Sequence, residues 1–274
     1  MTTPTSLTLG AKPPPLRDLL SDTWRRRELL YVLAKQEFLV RYRRATFGVL
    51  WAAALPILQA AVLAFVLSKV VRLGGNGDRY ALFVYIGVVP ATYFSTVLAI
   101  GSTSIVDGSG LTTKIYFPRL MLPLVTTLSN LFGMVVNVGL LLVAWGIFGR
   151  HRSAAVLLLP LAVLALVLLS SGLATFLAAV HVYGRDIRFI VQAGLVPLFY
   201  MTPIFFPLSL VGGAGKVLLV NPLTGVVELF RAALGVADPN WHTAVAITIG
   251  WIFATWIAAS IMHRRYDRLF VDLL

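Results

Sequence analysis

Six long apolar blocks constrain the fold more than any other feature of this sequence. They run from Phe47 to Val71, Tyr80 to Ile105, Leu122 to Phe148, Ala154 to Val182, Phe189 to Phe206 and Trp241 to Met262. A helix that crosses a bilayer needs about 20 apolar residues. Because lipid offers the backbone no hydrogen-bond partners, long apolar blocks cross it as helices, which satisfy their own backbone groups. The blocks therefore predict an all-α membrane protein with six transmembrane helices.

The composition agrees with that architecture. Hydrophobic residues make up 58% of the 274 residues and charged residues 12%, whereas a globular domain carries about 25% charged residues. The absence of cysteine excludes disulfides, thiolate metal sites and cysteine nucleophiles. In a membrane protein, a net charge of +12 encodes orientation and attraction to anionic lipid, so we expect membrane lipids as partners and no nucleic acid.

The positions of the Lys and Arg residues predict the orientation. Sixteen of the 23 fall on the side that holds both termini and the loops after the second and fourth blocks, and seven fall on the other side. Since cytoplasmic segments carry the excess, both termini are expected in the cytoplasm. The chain then divides into a cytoplasmic tail with an interfacial helix (residues 1–46), a transmembrane domain (47–262) and a second cytoplasmic tail (263–274).

The fifth block differs from the others. It runs from Phe189 to Phe206, is short, and contains Pro197 and Pro203, with Pro207 just beyond its end. Proline removes a backbone donor and clashes with the preceding turn. We therefore expect this helix to be kinked or broken.

No block carries a charged residue at its middle. Ion-coupled pumps depend on ionisable groups inside the membrane, so a chain that lacks them and moves a solute uphill takes its energy from elsewhere. The segment Gly212–Val217 contains glycines and Lys216, but it lacks the first glycine and the Ser or Thr of a phosphate-binding loop, and we interpret it as a flexible loop. The energy source is expected on another chain.

The stretch from Leu16 to Arg44 has apolar residues at three- and four-residue steps between basic ones. This pattern is typical of an amphipathic helix in the membrane interface, with its basic side toward lipid phosphates. The basic side either only orients the chain, gathers an anionic lipid-linked substrate, or binds a cytoplasmic partner. Arg41, Arg43 and Arg44 lie nearest the first block and are the candidates for a phosphate contact.

The internal loop from Asp107 to Pro123 is predicted to form a short cytoplasmic helix, because glycines end the second block and Pro118 ends the helix. It presents four side chains to the cytoplasm: Lys114, Tyr116, Phe117 and Arg119. Exposed aromatic residues on so short a helix favour docking to another protein over a turn that rests on lipid head groups.

The segment from Pro207 to Asn240 is largely apolar, but its halves, Leu208–Val220 and Leu223–Leu234, are too short to span. They predict an external re-entrant or interfacial helical hairpin. The second half carries helix signals and a charged pair: Asn221, Pro222, Glu228, Arg231 and Gly235. Asn-Pro opens a helix, Gly closes one, and an acid and a base three residues apart pair locally. We interpret the hairpin as a gate over an exit, with plain packing as the alternative.

Uncharged polar and aromatic residues decide what could pass through the bundle. Asn130 and Asn137 share a helical face with Gly133, where they either form interhelical hydrogen bonds or line a path. Aromatic residues cluster toward the ends of two blocks: Tyr85, Tyr93, Phe94, Phe199, Tyr200, Phe205 and Phe206. They suit an interfacial aromatic belt, and also a saccharide path, since aromatic rings stack on the C–H faces of sugars.

Six motifs in order resemble the membrane subunit of type-2 ABC exporters, the permeases that move lipid-linked O-antigen, teichoic acid, capsule or galactan polymers. The motifs are Arg41–Trp51 with Pro56, Gly87 with Tyr93–Ser95, Lys114–Pro123, Tyr183–Asp186, Thr202–Pro207, and Asn221–Pro222 with Arg231. The resemblance covers the chain from Arg41 to Met262. The sequence departs from the family around Val89–Ala91 and at Tyr183–Gly184, which bears on the width and lining of a pore.

The resemblance implies a homodimer in the bacterial cytoplasmic membrane, driven by two copies of a separate ATPase subunit that binds ATP and Mg. It implies a polyprenyl-diphosphate-linked glycan as cargo, and no catalytic residue, metal or cofactor on this chain. The diphosphate contact is assigned to Arg41, Arg43 and Arg44, and ATPase coupling to Lys114, Tyr116, Phe117, Arg119, Arg185 and Asp186. The substrate path is assigned to Tyr93, Phe94, Phe199, Tyr200, Asn130 and Asn137, and the external gate to Asn221, Pro222, Glu228 and Arg231.

Three alternatives stay open. A drug or small-lipid exporter of the same superfamily would share the motifs. A membrane-embedded glycosyltransferase or acyltransferase needs a carboxylate or His pair near a membrane face, for which Asp107, Asp186 and His181 are the candidates. A structural scaffold would have no ATPase partner.

Overall fold

The computed structural model describes residues 21, 23–70, 77–108, 119–149 and 154–266, which are almost entirely helical and include no β-strand. The α-helices, numbered in chain order, are α1 (Arg27–Tyr42), α2 (Trp51–Phe65), α3 (Gly77–Gly101), α4 (Ser104–Asp107), α5 (Met121–Phe148), α6 (Leu159–Tyr183), α7 (Ile187–Met201), α8 (Gly215–Val220), α9 (Pro222–Ala233) and α10 (Trp241–Tyr266). Short 3₁₀ segments precede α2, α6 and α8 at Gly48–Leu50, Ala154–Leu158 and Leu208–Ala214, and a π-helical segment, Val66–Val70, follows α2. The all-α prediction is confirmed.

Within the described ranges, five helices are long and apolar enough to cross a bilayer: Gly48–Lys69, Arg79–Gly101, Met121–Phe148, Ala154–Tyr183 and Trp241–His263. Their ends lie within four residues of the predicted blocks. The largest difference is at the end of α3, where the hydroxyls of Ser102 and Thr103 donate to the carbonyls of Ala99 and Ile100 and compete with the helix. The multi-pass membrane architecture is confirmed, and the count of six spans stays a prediction.

The fifth block forms the shorter helix α7, which ends at Met201. Its 15 residues at about 1.5 Å each give roughly 22 Å, less than the hydrocarbon core of about 30 Å. Thr202 leaves the helix with an extended backbone (φ −82°, ψ 136°), because the residue before a proline, here Pro203, is disfavoured in the α region. Pro197 is accommodated inside the helix. The predicted break is present, and it falls at Thr202.

Helix α1 forms most of the described part of the predicted interfacial helix. It buries Ala34 and Phe38 and packs against α5, where the ring of Phe38 lies 5.4 Å from that of Phe132. Its basic residues lie largely on the exposed side. Its position at a membrane interface stays a prediction.

Helix α3 is at the centre of the bundle, since it packs against α2, α5, α6, α7 and α9. Helix α2 is peripheral and buries only a narrow face of small residues: Ala53, Pro56, Ala60 and Ala64. Its large side chains point away from the bundle: Leu55, Leu58, Val62 and Phe65. An apolar face of this size is expected to meet lipid or another chain.

The segment from Leu208 to Ala233 folds as a hairpin that enters the bundle and turns back at Asn221. At the tip, the carbonyl of Val220 accepts a bond from Trp251 Nε1 (2.8 Å), and the carbonyl of Pro222 accepts one from Thr248 Oγ1 (2.8 Å). These partners lie seven to ten residues into α10. At about 1.5 Å per residue, the tip therefore reaches about 10–15 Å along α10. The position of the hairpin relative to a membrane stays a prediction.

Candidate functional site

A groove of about 260 Å³ lies between α1, α2, α3 and α5, and we call it the Arg41 groove. It gathers four of the residues predicted to contact substrate: Arg41, Tyr93, Asn130 and Asn137. The rest of its lining is mixed, with polar side chains such as Tyr42, Thr92 and Thr96 and apolar ones such as Phe38, Trp51 and Pro56. Such a lining suits a ligand that has both polar and apolar parts.

Arg41 is held at the groove by two hydrogen bonds that it donates, one to α5 and one within α1. Its Nη1 donates to Asn130 Oδ1 of α5 (2.7 Å), and its Nη2 donates to Glu37 Oε1, one turn earlier in α1 (3.2 Å). Asn130 is itself fixed, because its Nδ2 donates to the carbonyl of Thr126 (2.8 Å) and leaves Oδ1 to face the arginine. The Arg41 side chain stays 28% exposed, so its guanidinium is accessible from the groove.

Glu37 completes this arrangement, although the sequence prediction did not include it. Burial raises the pKa of Glu37 above its ordinary value of 4.5, while the positive charge of Arg41 and the neighbouring Ser129 hydroxyl oppose that rise. The carboxylate therefore gains less from Arg41 than it loses by leaving water. An acid four residues before an arginine is a pairing signal on a helix, and this rule could have found Glu37.

Asn137 has a different role from Asn130. It is buried, and its Nδ2 donates to the carbonyls of Ala52 (2.9 Å) and Gly133 (2.9 Å), which joins α5 to α2. The helices approach closely here, since a Cβ on Gly133 would lie 3.3 Å from the Cβ of Ala52. The Oδ1 of Asn137 has no hydrogen-bond partner among the residues that the structure describes, and it stands as a buried acceptor in the groove wall.

Tyr93 and Phe94 face different surroundings. Tyr93 borders the groove, and its hydroxyl donates to the carbonyl of Thr127 (3.0 Å). Phe94 has no exposed surface and lies in the main apolar core. Neighbouring residues on a helix point about 100° apart, so only one of this pair reaches the groove. Phe94 does not border the groove, and its place on a substrate path stays a prediction.

A second aromatic group lies at the end of α7, outside the groove. The ring centroid of Phe199 lies 5.7 Å from that of Tyr200 and 5.6 Å from that of Phe205. Tyr200 is 62% exposed, whereas Phe199 packs against the main core. The two predicted parts of the substrate path are therefore separate within one chain.

The three predicted phosphate-binding arginines do not converge. Arg43 borders a different surface cavity of about 640 Å³, together with Tyr31 and Lys35. Arg44 is exposed after the end of α1. Arg41 is the member of the set that borders the groove.

The described coupling residues lie at one end of the bundle. A small apolar cluster joins α4 to the start of α5 and the end of α6 there: Ile105, Met121, Leu122, Ala178, Ala179 and Val182. Arg119 is partly buried just before α5, and Arg185 and Asp186 are exposed in the turn between α6 and α7. Lys114, Tyr116 and Phe117 lie outside the described residues. This end therefore carries charged side chains that another chain could reach.

Two predicted gate residues form the tip of the hairpin. Asn221 Oδ1 accepts a bond from the N–H of Leu223 (2.9 Å), and Asn221 Nδ2 donates to Thr202 Oγ1 (2.9 Å). Pro222 is the first residue of α9, and Gly235, with a φ of 75°, follows the end of that helix. The predicted helix signals are confirmed, and the tip is tied to the break after α7.

Glu228 and Arg231 form the predicted pair, in which Arg231 Nη1 donates to Glu228 Oε1 (2.7 Å). The pair lies inside the protein, since the side chain of Glu228 is 0% exposed and that of Arg231 is 1% exposed. Arg231 also donates from Nη2 to the carbonyl of Ile204 (3.1 Å) and lies over the ring of Phe83 (3.8 Å). Glu228 Oε2 accepts a bond from the N–H of Asp238 (2.9 Å). The pair links the hairpin to α3 and to the segment after α7.

Among the described residues, no group of three or more His, Asp or Glu side chains is placed so that it could bind one metal ion.

Comparison with known families identifies the architecture. Residues 28–234 match the family described as ABC-2 type transporter, a range from α1 to the end of α9. The chain belongs to the ABC-2 type transporter family. The resemblance that the six motifs indicated is confirmed, and this ABC-2 permease is a multi-pass membrane protein. Permeases of this family normally pair with a separate ATPase subunit.

Three relatives of this ABC-2 permease carry names that refer to polysaccharides. The O-antigen export system permease protein RfbA of Myxococcus xanthus is 30% identical over 253 residues, which cover 91% of this chain and 96% of the relative. An RfbA protein of Klebsiella pneumoniae is 24% identical over 249 residues, which cover 90% and 95%. The polysialic acid transport protein KpsM of Escherichia coli is 26% identical over 205 residues, which cover 73% and 78%.

Proposed function

We propose that this permease is the transmembrane subunit of an ATP-driven exporter for a polyprenyl-diphosphate-linked polysaccharide of the O-antigen, teichoic acid or galactan type. Two copies would pair with two copies of an ATPase subunit that binds ATP and Mg, in the bacterial cytoplasmic membrane, with both termini in the cytoplasm. The names of the three relatives support a polysaccharide as cargo, since two are O-antigen export system permease proteins and the third is a polysialic acid transport protein.

The observation that carries the proposal is the position of Arg41 at a groove of mixed lining. A lipid-linked sugar diphosphate has a charged part, a hydroxylated part and a hydrocarbon part. The groove offers a counterpart to each: the guanidinium of Arg41, the polar Thr92 and Asn137, and the aromatic Trp51. Arginine suits the charged part because its planar fork can donate two bonds to one phosphate.

The scarcity of charged residues in the candidate spans bears on the energy source of transport. In the five candidate spans, Lys69 and Arg79 lie at span ends, and no other Asp, Glu, Lys or Arg occurs within those described ranges. Ion-coupled pumps carry their coupling charge on ionisable groups inside the membrane-spanning segments. ATP hydrolysis on a partner, passed on through Lys114, Tyr116, Phe117, Arg119, Arg185 and Asp186, supplies the work in this proposal. The hairpin with Asn221, Pro222, Glu228 and Arg231 closes the path on the external side.

The proposal is tested by affinity purification of the tagged permease from its native membranes in a mild detergent. We expect an ATPase subunit to co-elute and mass spectrometry to find a polyprenyl diphosphate glycan bound. Arg41→Gln should lower the amount of bound glycan lipid, whereas Lys35→Gln, which removes an equal charge from an exposed position of α1, should not. A bound drug-like molecule or phospholipid with no glycan lipid would favour a small-lipid exporter, and recovery without any ATPase would contradict the proposal.

A further inference from the structure

The two contacts of Arg41 differ in length and in the charge of the partner. The bond from Nη1 to Asn130 is 2.7 Å long, whereas the bond from Nη2 to Glu37 is 3.2 Å long. Hydrogen bonds between a guanidinium and a carboxylate are usually about 2.7–2.9 Å. The contact with the neutral partner is therefore short, and the contact with the charged partner is longer than such pairs usually are.

The place that Glu37 occupies is one that a phosphate would need. A phosphate that takes two bonds from a guanidinium approaches two of its nitrogen atoms in the plane of the group. Nη2 already faces the Glu37 carboxylate, which has the same sign of charge as a phosphate. An incoming phosphate that binds Nη2 thus meets a like charge there, and the repulsion between the two anions favours the departure of one of them.

We propose that Glu37 is the resident counter-anion of Arg41, which the phosphate of the arriving lipid replaces at Nη2 and which returns when the lipid leaves. This inference rests on the proposed function. Asn130 keeps the guanidinium in position throughout, and the exchange of one anion for another means that Arg41 is never left unpaired in the groove. Glu37 lowers the affinity for the lipid and shortens its stay, as a transport site requires if its cargo is to move on.

The surroundings of Glu37 favour this exchange. The side chain is 31% exposed, so the carboxylate can swing toward water without unfolding α1. Burial raises the pKa of Glu37 despite the nearby arginine, a direction that agrees with this exchange. Its release into water on phosphate binding recovers hydration.

The inference is tested on the full-length permease in nanodiscs of phosphatidylcholine, with polyprenyl diphosphate as the probe lipid and native mass spectrometry as the readout. Glu37→Gln and Glu37→Ala should each bind the probe about two- to fivefold more tightly, in line with the loss of one partly exposed ion-pair competitor. Their dissociation should slow by a similar factor. Glu28→Gln removes the same charge from an exposed position of α1 and should leave both quantities unchanged.

The double variant Glu37→Gln/Arg41→Gln separates exchange at Arg41 from a general charge effect. In the Arg41→Gln background, the Glu37 substitution should have no effect on probe affinity. If Arg41→Gln weakens binding but both Glu37 variants bind like Glu28→Gln, the counter-anion role is overturned while the proposed diphosphate contact stands. If Arg41→Gln binds the probe as tightly as the unaltered permease, the diphosphate contact itself fails. The thermal midpoint of each variant shows whether it is folded.

Discussion

Asn130 Oδ1 lies 2.7 Å from Nη1 of Arg41, and this contact makes α5 the support for the arginine of the groove. The amide cannot turn round without losing its bond to the carbonyl of Thr126. Asn137, seven residues later on the same face, donates to the carbonyls of Ala52 and Gly133 instead. Two asparagines that look equivalent in the sequence therefore differ in role: one positions a charge, and the other joins two helices.

Asn130→Ala and Asn137→Ala should consequently fail in different ways. Asn130→Ala should leave the thermal midpoint in detergent nearly unchanged but reduce glycan-lipid binding, because Arg41 loses its shorter contact and with it the support from α5. Asn137→Ala should cost about 1–2 kcal/mol of stability, because a bond between two helices is lost. Thermal unfolding and lipid binding, measured for both variants, test this difference. Equal losses of stability in the two variants would contradict it.

Arg231 should be essential for stability rather than for transport alone. Arg231→Met leaves the Glu228 carboxylate buried without its charged partner, and such a change costs about 3–5 kcal/mol. We expect a large drop in thermal midpoint or loss of expression. Arg188→Met, at an exposed position of α7, is the matched control and should be neutral. Adding Glu228→Gln to Arg231→Met should restore part of the loss, since the orphaned charge is then removed.

Gly225 should tolerate no side chain. A Cβ there would collide with the carbonyl oxygen of Ala244 and the hydroxyl of Thr248, so Gly225→Ala forces α9 away from α10. Gly250→Ala is the control on α10, because a Cβ at that position meets nothing within 4 Å. We expect Gly225→Ala to lower the thermal midpoint and Gly250→Ala to leave it equal or higher. Similar midpoints for both variants would show that the hairpin is not packed tightly against α10.

Glu37 should contribute less to stability as the pH rises. Because burial raises its pKa above 4.5, the folded protein binds more protons at Glu37 than the unfolded chain does just above that pH. Stability from this group is therefore present at low pH and declines as the pH rises from about 4.5 through the folded pKa. The thermal midpoint of Glu37→Gln should rise relative to the unaltered protein over this range. A relative fall would mean that Arg41 outweighs the cost of burial.

Features that depend on apolar length and local backbone chemistry were predictable from the sequence. The span bounds follow from runs of apolar residues, and the break at Thr202 follows from Pro203. The cap at Asn221 and the left-handed Gly235 follow from rules that act over a few residues. The span bounds, the break, the cap and the left-handed glycine each depend on residues within one helix or turn, so they can be predicted without knowing which distant parts of the chain lie nearby.

Features that depend on how helices face one another were not predictable in the same way. Apolarity alone does not say that Tyr93 borders the groove while Phe94 lies in the core. Phe83 lies far from Arg231 in the sequence, and no spacing rule connects them, although the fold brings them into contact. Spacing did predict that Glu228 and Arg231 pair, but not that the pair is buried. Burial is a property of the assembled bundle.

Transport into sealed proteoliposomes tests the central claim most directly: this chain forms the path, and a separate ATPase drives it. Vesicles that hold the permease and its ATPase should accumulate polyprenyl-diphosphate-linked glycan when ATP and Mg are added, and an ATPase unable to hydrolyse ATP should abolish the accumulation. Vesicles that hold the permease alone should accumulate none under an imposed ion gradient. Concentrative uptake by the permease alone, with an ion gradient and no ATP, would contradict the account.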